Sequence, residues 1–425
     1  MSAPRRFGVD LTPLRVSAPF RRLFLYGALT VLASQMTVIA MLFQVKQLTH
    51  STFDVGTLSA AELLPIIGFG LYGGVIADHW DRRKVMVFCE LGFLLSMIAL
   101  LVNARLAQPN VAALYILAAL GASFGAAQGP SIASVTQQVI SHDLQRQAST
   151  LSMIRSTGAS IIGPLLGGVI CAVVGAWLVY AIVLGFFCVT VVLLVGIRAQ
   201  RVVEPVSQGA LDALSAGLRY ARTRPDILGS YVVDLIAMTL AFPVAVLAFT
   251  SDLFHSRFAL GVLFAGIPFG AMLASLTSSW TAKIHHYGRA VIVAAAVWGL
   301  GIGLLGVAPN LWVAFLGLAL AGAGDAISGI FRITMWNESI ASDLRGRMGG
   351  MELLSYSVGP VLGNFRSGVT AGVMGLRTSI VAGGLSCSAL VATASFSLRS
   401  FWNFDVRSDA NVAVVKAQRA AELAQ

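Results

Sequence analysis

Long apolar runs follow one another along most of this chain. Hydrophobic windows lie at 23–45, 54–77, 84–104, 111–136, 149–174, 177–197, 227–251, 260–282, 290–308, 311–335, 348–372 and 376–398. Each is long enough for a helix to cross a bilayer, since about 20 residues rising about 1.5 Å each cover the hydrocarbon core. The pattern predicts an all-α integral membrane protein of twelve spans in two sets of six. The break between the sets is 198–226, where charge density rises. There Leu211, Leu214 and Leu218 recur at helical spacing opposite Asp212, Arg219 and Arg222, which predicts an amphipathic helix lying in the interface. The expected organisation is an N-terminal tail over 1–22, a six-helix bundle over 23–197, the linker over 198–226, a second bundle over 227–398 and a C-terminal tail over 399–425.

Composition agrees with the pattern and removes other classes. Of 425 residues 57% are hydrophobic and 11% charged, with mean hydropathy +0.81, whereas about a quarter of a soluble domain is charged. The net charge of +10 could point to nucleic acid, but its placement gives a different reading. Basic residues crowd the tails, the linker and alternate loops, while the other side of the membrane receives only Lys46, Arg105, Arg257 and Arg377. Cytoplasmic loops carry the excess of Lys and Arg, so both termini are expected in the cytoplasm and no nucleic-acid partner is needed. Cys89, Cys171, Cys188 and Cys387 lie inside apolar runs without CxxC spacing, so neither disulfides nor a metal site is expected. The polar N-terminus precedes a run too long for a signal-peptide core, and the first helix is expected to stay attached.

The halves carry a faint internal repeat. The segment from Ile140 (ISHDLQRQASTLSMIRS) aligns with that from Ile340 (IASDLRGRMGGMELLSY), and each is followed by Gly-Pro, at Gly163-Pro164 and Gly359-Pro360. Duplicated six-helix halves are a transporter architecture, with substrate bound near the midplane.

Two motifs narrow the reading. After the second span, Gly74, Asp78, Arg82 and Arg83 combine a glycine for close helix approach, an acid at the membrane edge and a basic cluster. This segment resembles the loop signature of the major facilitator superfamily, with His79 and Asp81 departing from it. The resemblance implies a gating loop that stabilises one alternating-access state by charge pairing. In the fifth span, Arg155 and Gly158 precede Gly163, Pro164, Gly167 and Gly168. Proline kinks a helix and glycine permits close crossing, so packing alone is one reading; the segment also looks like the antiporter signature of that superfamily's exporters. Across residues 18 to 400, the segment Gln47 to Gly56 and Leu344-Arg345-Gly346-Arg347 are similar to the bacterial enterobactin (siderophore) exporter branch. This implies proton-exchange export of a catecholate siderophore from the cytoplasm across the inner membrane, with multidrug efflux as the alternative. In a Gram-negative cell the released compound needs a separate outer-membrane exit.

Ionisable residues inside spans are expensive and mark function by default. Asp325 lies deepest, in the tenth span, followed by Asp234 and Glu62; these are the proton-coupling candidates, with Arg155, Arg332 and Arg366 as counter-charges. Glu90 and Glu352, near span ends, are expected at the interface. Gln35, Gln44, Phe124, Gln128 and Tyr231 offer the aromatic faces and hydrogen-bonding groups that a catechol-rich ligand can use. Two other matches carry no chemistry. Gly301, Gly303 and Gly306 fit a dinucleotide fingerprint but lie inside a span with no strand before them, and Gly121-Ala122-Ser123-Phe124-Gly125 fits a nucleophile elbow with no histidine at depth. No phosphate-binding loop occurs, so an ion gradient rather than ATP is the expected energy source, with no cofactor, no enzymatic activity and a monomeric transporter in the lipid bilayer.

Overall fold

The computed structural model describes residues 10–79, 81–195, 210–340 and 342–423; within these, the side chains of 70–79, 210–214, 342–354 and 419–423 and a few single positions lie outside the description. Among the described residues twelve long helices follow one another: α1 Ala18–Thr49, α2 Thr52–His79, α3 Arg82–Arg105, α4 Val111–Gln138, α5 Gln145–Val173, α6 Ala176–Val195, α7 Pro225–Ala241, α8 Ala259–Leu276, α9 Tyr287–Val307, α10 Leu311–Ser339, α11 Ser342–Met374 and α12 Leu376–Ser397. Among the described residues eleven helices are long and apolar enough to cross a bilayer, and α11 stands where the sequence places the eleventh span.

Local chemistry sets the ends. Ser17 caps α1 by accepting from Phe20 N at 3.2 Å, and Asp81 caps α3 through Arg83 N at 2.9 Å. Asn110 and Asn310, two hundred residues apart, cap α4 and α10 through Ala112 N and Val313 N. A side-chain oxygen at this position satisfies one of the amides that a helix start leaves unpaired. The repeat seen around Ile140 and Ile340 therefore extends to the helix starts that precede it.

The seventh span is broken. α7 stops at Ala241, and a short helix Val244–Thr250 resumes after Phe242-Pro243. Proline lacks the amide that would continue the ladder. The side chain of Asn364 on α11 accepts the Ala245 N–H at 2.9 Å, so part of the loss is made good across the bundle.

The two halves meet along two seams, α2 against α11 and α5 against α8. All four seam helices carry an internal proline, Pro65, Pro164, Pro268 and Pro360. Both seams close on glycine pairs. A Cβ on Gly368 would lie 2.8 Å from Gly56 Cα, and one on Gly168 would overlap the Gly261 backbone. Without a hydrophobic force between helices in lipid, such close backbone approach is what makes packing favourable.

The helix Ala210–Thr223 ends at Arg224. Its buried guanidinium grips Asp226 with Nη2–Oδ2 at 2.6 Å and Nε–Oδ1 at 3.0 Å, and Nη1 donates to Tyr220 Oη and to the Ser339 carbonyl at the end of α10. Burial pushes the Arg224 pKa down, but the hydrogen bonds and charge of Asp226 outweigh it and hold the group above its ordinary value. The C-terminal segment is packed rather than trailing. Phe401 is fully buried against Gly229 and Gly288, Val406 N donates to the His285 carbonyl, and Val412 and Val415 of the helix Ala410–Leu423 are buried.

Candidate functional site

The N-terminal half encloses a cavity of about 300 Å³. α1 contributes Thr30, Ser34 and Thr37 to its wall, a hydroxyl stripe at helical spacing. α3 contributes Phe93 and Ser96, α6 contributes Phe187, and Gly121 and Gly125 of α4 keep the opposite wall thin. Phe93 and Phe187 stack with centroids 5.3 Å apart and planes 10° apart, forming a flat aromatic surface. The only charged group among the described lining residues is Glu62 of α2. No donor among the described residues bonds its carboxylate, which leaves both oxygens for a ligand.

The C-terminal half concentrates its buried charge elsewhere. Arg332 on α10 and Asp234 on α7 are 1% and 3% exposed, with Nη1 2.5 Å from Oδ1. The Ser355 hydroxyl of α11 donates to Asp234 Oδ2, and the guanidinium lies over the Tyr356 ring, 5.6 Å from its centroid. Asp325 is half-buried, two turns before Arg332 on α10, and is within electrostatic reach of both members of the pair. It has no hydrogen-bond or ion-pair partner among the described residues. Of the expected coupling acids, then, Asp234 is held in a buried ion pair, while the carboxylates of Asp325 and Glu62 have no partner among the described residues. Among the described residues Arg155 and Arg366 pair with no acid. Arg155 Nη1 donates to the Leu23 carbonyl at 3.4 Å and its guanidinium packs over Gly27, while Arg366 fills the space left by Gly383.

Glu90, expected near the interface from its place in the span, faces the bundle interior. It is 0% exposed, accepting from Gln128 Nε2 at 3.1 Å and Thr190 Oγ1 at 2.7 Å, with Tyr26 alongside. α3 turns this side chain toward the bundle interior, where donors on α4 and α6 stabilise the carboxyl. Gln128 is thereby committed to Glu90. Gln44 accepts from Tyr180 Oη at 2.8 Å, Gln35 packs beside Gly163 at the crossing of α1 and α5, Phe124 sits over Gly92 edge-on to Phe93, and Tyr231 stacks on Trp336 with centroids 4.8 Å apart. These five residues are spread over both halves, and the wall of the 300 Å³ cavity is built from others. The hydroxyl stripe at Thr30, Ser34 and Thr37 was readable in the sequence as polar residues at positions i, i+4 and i+7. The Phe93–Phe187 wall was not, because it depends on how α3 meets α6.

Of the gating-loop residues, Gly74 and Asp78 lie in the stretch 70–79 whose side chains are outside the description, while Arg82 and Arg83 begin α3. In the antiporter-like segment, Gly163 and Gly167 face α1 and Gly168 faces α8, whereas a Cβ at Gly158 would meet open space. At the end of the molecule away from the termini, Lys46 of α1 reaches across the halves. Its Nζ lies 2.5 Å from Asp252 Oδ1 and donates to the Ala248 carbonyl at 2.7 Å.

Comparison with known proteins agrees with this architecture. The model of a family described as transmembrane secretion effector matches residues 9–421. The chain is 27% identical over 392 residues to the enterobactin exporter EntS of Salmonella typhi, covering 90% of this chain and 92% of that protein. It is likewise 27% identical over 363 residues to EntS of Escherichia coli O81 (strain ED1a), covering 84% and 86%. Among solved structures, the nucleoside transporter NupG superposes with a TM-score of 0.73 at 13% identity, covering 91% of this chain and 100% of that one. A bacterial homologue of the lysosomal transporter Spinster, in an inward-facing and unoccupied conformation, gives 0.70 at 15% identity, covering 91% and 98%.

Proposed function

Because the chain belongs to the transmembrane secretion effector family of the major facilitator superfamily, we propose that it exports a catecholate siderophore from the cytoplasm across the bacterial inner membrane, in exchange for protons. The observation that carries this reading is the cavity in the N-terminal half, where an open carboxylate, a hydroxyl stripe and an aromatic wall meet. A catechol offers a flat ring for the wall and two phenolic donors for the oxygens. The likeness to enterobactin exporters supports the substrate class.

Both termini lie in the cytoplasm in this reading, and the protein works as a monomer. The proton binds at Asp325, whose open carboxylate feels the Asp234–Arg332 pair. A change of protonation there alters the field at a buried ion pair, and only interactions that differ between states can move the equilibrium between them. The test is to assay extracellular catecholates from a deletion strain under iron starvation, and to follow substrate-dependent proton release by the purified protein in liposomes. Loss of catecholate from the medium and proton release upon catecholate addition are the expected results; unchanged secretion rejects the substrate.

Multidrug efflux is the second reading, and one feature favours it: an acid beside an aromatic wall also suits a lipophilic cation. Energised efflux of ethidium that catechols do not inhibit would select it.

A further inference from the structure

The sign of the charge in the N-terminal cavity discriminates between two forms of the same ligand. Glu62 is the sole charged lining group among the described residues, and no Lys, Arg or His joins it there. Arg155, the counter-charge candidate of this half, contacts the Leu23 carbonyl and the Phe24 ring instead. An ionised carboxylate is an acceptor only. Its two oxygens match the two adjacent hydroxyls of a free catechol, and Ser34 and Thr37 stand on the neighbouring wall. A catechol that has bound ferric iron has given up both phenolic protons, offers Glu62 no donor and brings negative charge. In a medium of low dielectric that like charge is strongly unfavourable.

We propose that this cavity reads the metallation state of its ligand: Glu62 accepts the two hydroxyls of the iron-free catechol and turns away the metal complex. The proposal rests on the catecholate reading above and adds to it the residue that separates the empty chelator from the loaded one. It requires Glu62 in its ionised form, and so goes with the reading above in which the coupling proton binds at Asp325.

The experiment is equilibrium binding to the purified full-length protein, by titration calorimetry, of three probes: a neutral N-alkyl 2,3-dihydroxybenzamide, its gallium(III) complex and its catechol dimethyl ether. The free catechol is expected to bind at least about tenfold more tightly than either of the others, the least expected for hydrogen bonds to a charged group. Glu62→Gln is expected to weaken the free catechol and to bring the gallium complex to within about threefold of it, because the like charge is gone. The thermal melting point of the variant reports whether it folds, and Glu62→Asp, which keeps the charge, is expected to keep the discrimination. A gallium complex that binds wild type as well as the free catechol overturns the proposal and leaves catechol export standing. So does a preference that persists in Glu62→Gln, which would mark exclusion by size. If none of the three probes binds, the catecholate reading itself fails and the proposal with it.

Discussion

At the scale of single residues, three acids inside the bilayer have three different surroundings. Asp234 is held by Arg332 and Ser355, Glu90 by Gln128 and Thr190, and Asp325 by nothing among the described residues. Asp234→Asn leaves Arg332 buried without its counter-charge, which costs about 3–5 kcal/mol. The expected result is a marked fall in the melting point of the detergent-solubilised protein, recovered when Arg332→Met is added to Asp234→Leu, since replacing both members of a buried pair is often neutral. Asp325→Asn is expected to melt like wild type. It should abolish pH-driven efflux from liposomes while leaving catecholate exchange at equal pH intact, because the amide stands in for the protonated acid. A variant that retains pH-driven efflux takes the coupling role away from Asp325.

At the scale of helices, the seams α2–α11 and α5–α8 combine an internal proline on each partner with glycine at the contact. Proline weakens the ladder and glycine admits the neighbouring backbone, so these helices can bend and slide where the halves must move. Gly168→Val inserts an isopropyl group, a Cβ and two methyls, against the Gly261 backbone. Overpacking of this kind costs about 1–3 kcal/mol, and the expected outcome is slower transport with a lowered melting point. Gly158→Val in the same motif meets open space, and only its α-helix propensity should change. Equal defects in the two variants would show that the motif acts through something other than the crossing.

At the scale of the molecule, Lys46 ties the halves together at the end away from the termini. Its side chain is 12% exposed but that of Asp252 is 65% exposed, so the pair is worth about 0.2–1 kcal/mol after solvent screening. Lys46→Ala is therefore expected to shift the population toward opening at this end by about 1.5- to 5-fold. The reaction rate of a single cysteine placed at Ser251, which is buried beside the pair, with a membrane-impermeant maleimide, compared with and without Lys46→Ala, measures the shift. An unchanged rate would mean that the glycine seams alone set the balance.

Hydrophobic runs of bilayer length dictate helices wherever they occur, since unpaired backbone cannot survive in hydrocarbon. The twelve spans, the pairing of halves through the Ile140/Ile340 repeat and the segregation of basic residues were therefore legible without a structure. So was the cost of Asp234, Asp325 and Glu62 within spans, because depth along an apolar run is a one-dimensional property. Which acid meets which base is not. Arg332 lies seven residues from Asp325 on one helix, yet it pairs with Asp234 from another, because the rotation of α10 against α7 decides the contact. Position near a span end pointed Glu90 toward the interface, and the donors on α4 and α6 placed it in the core. In the same way Gln35, Gln44, Phe124, Gln128 and Tyr231 have the right chemistry for a ligand, but helix rotation directs four of them into bonds or stacks and one into a crossing. In a helical membrane protein the order and length of the elements are written along the chain, whereas the face that each helix turns to the cavity follows from packing all twelve together.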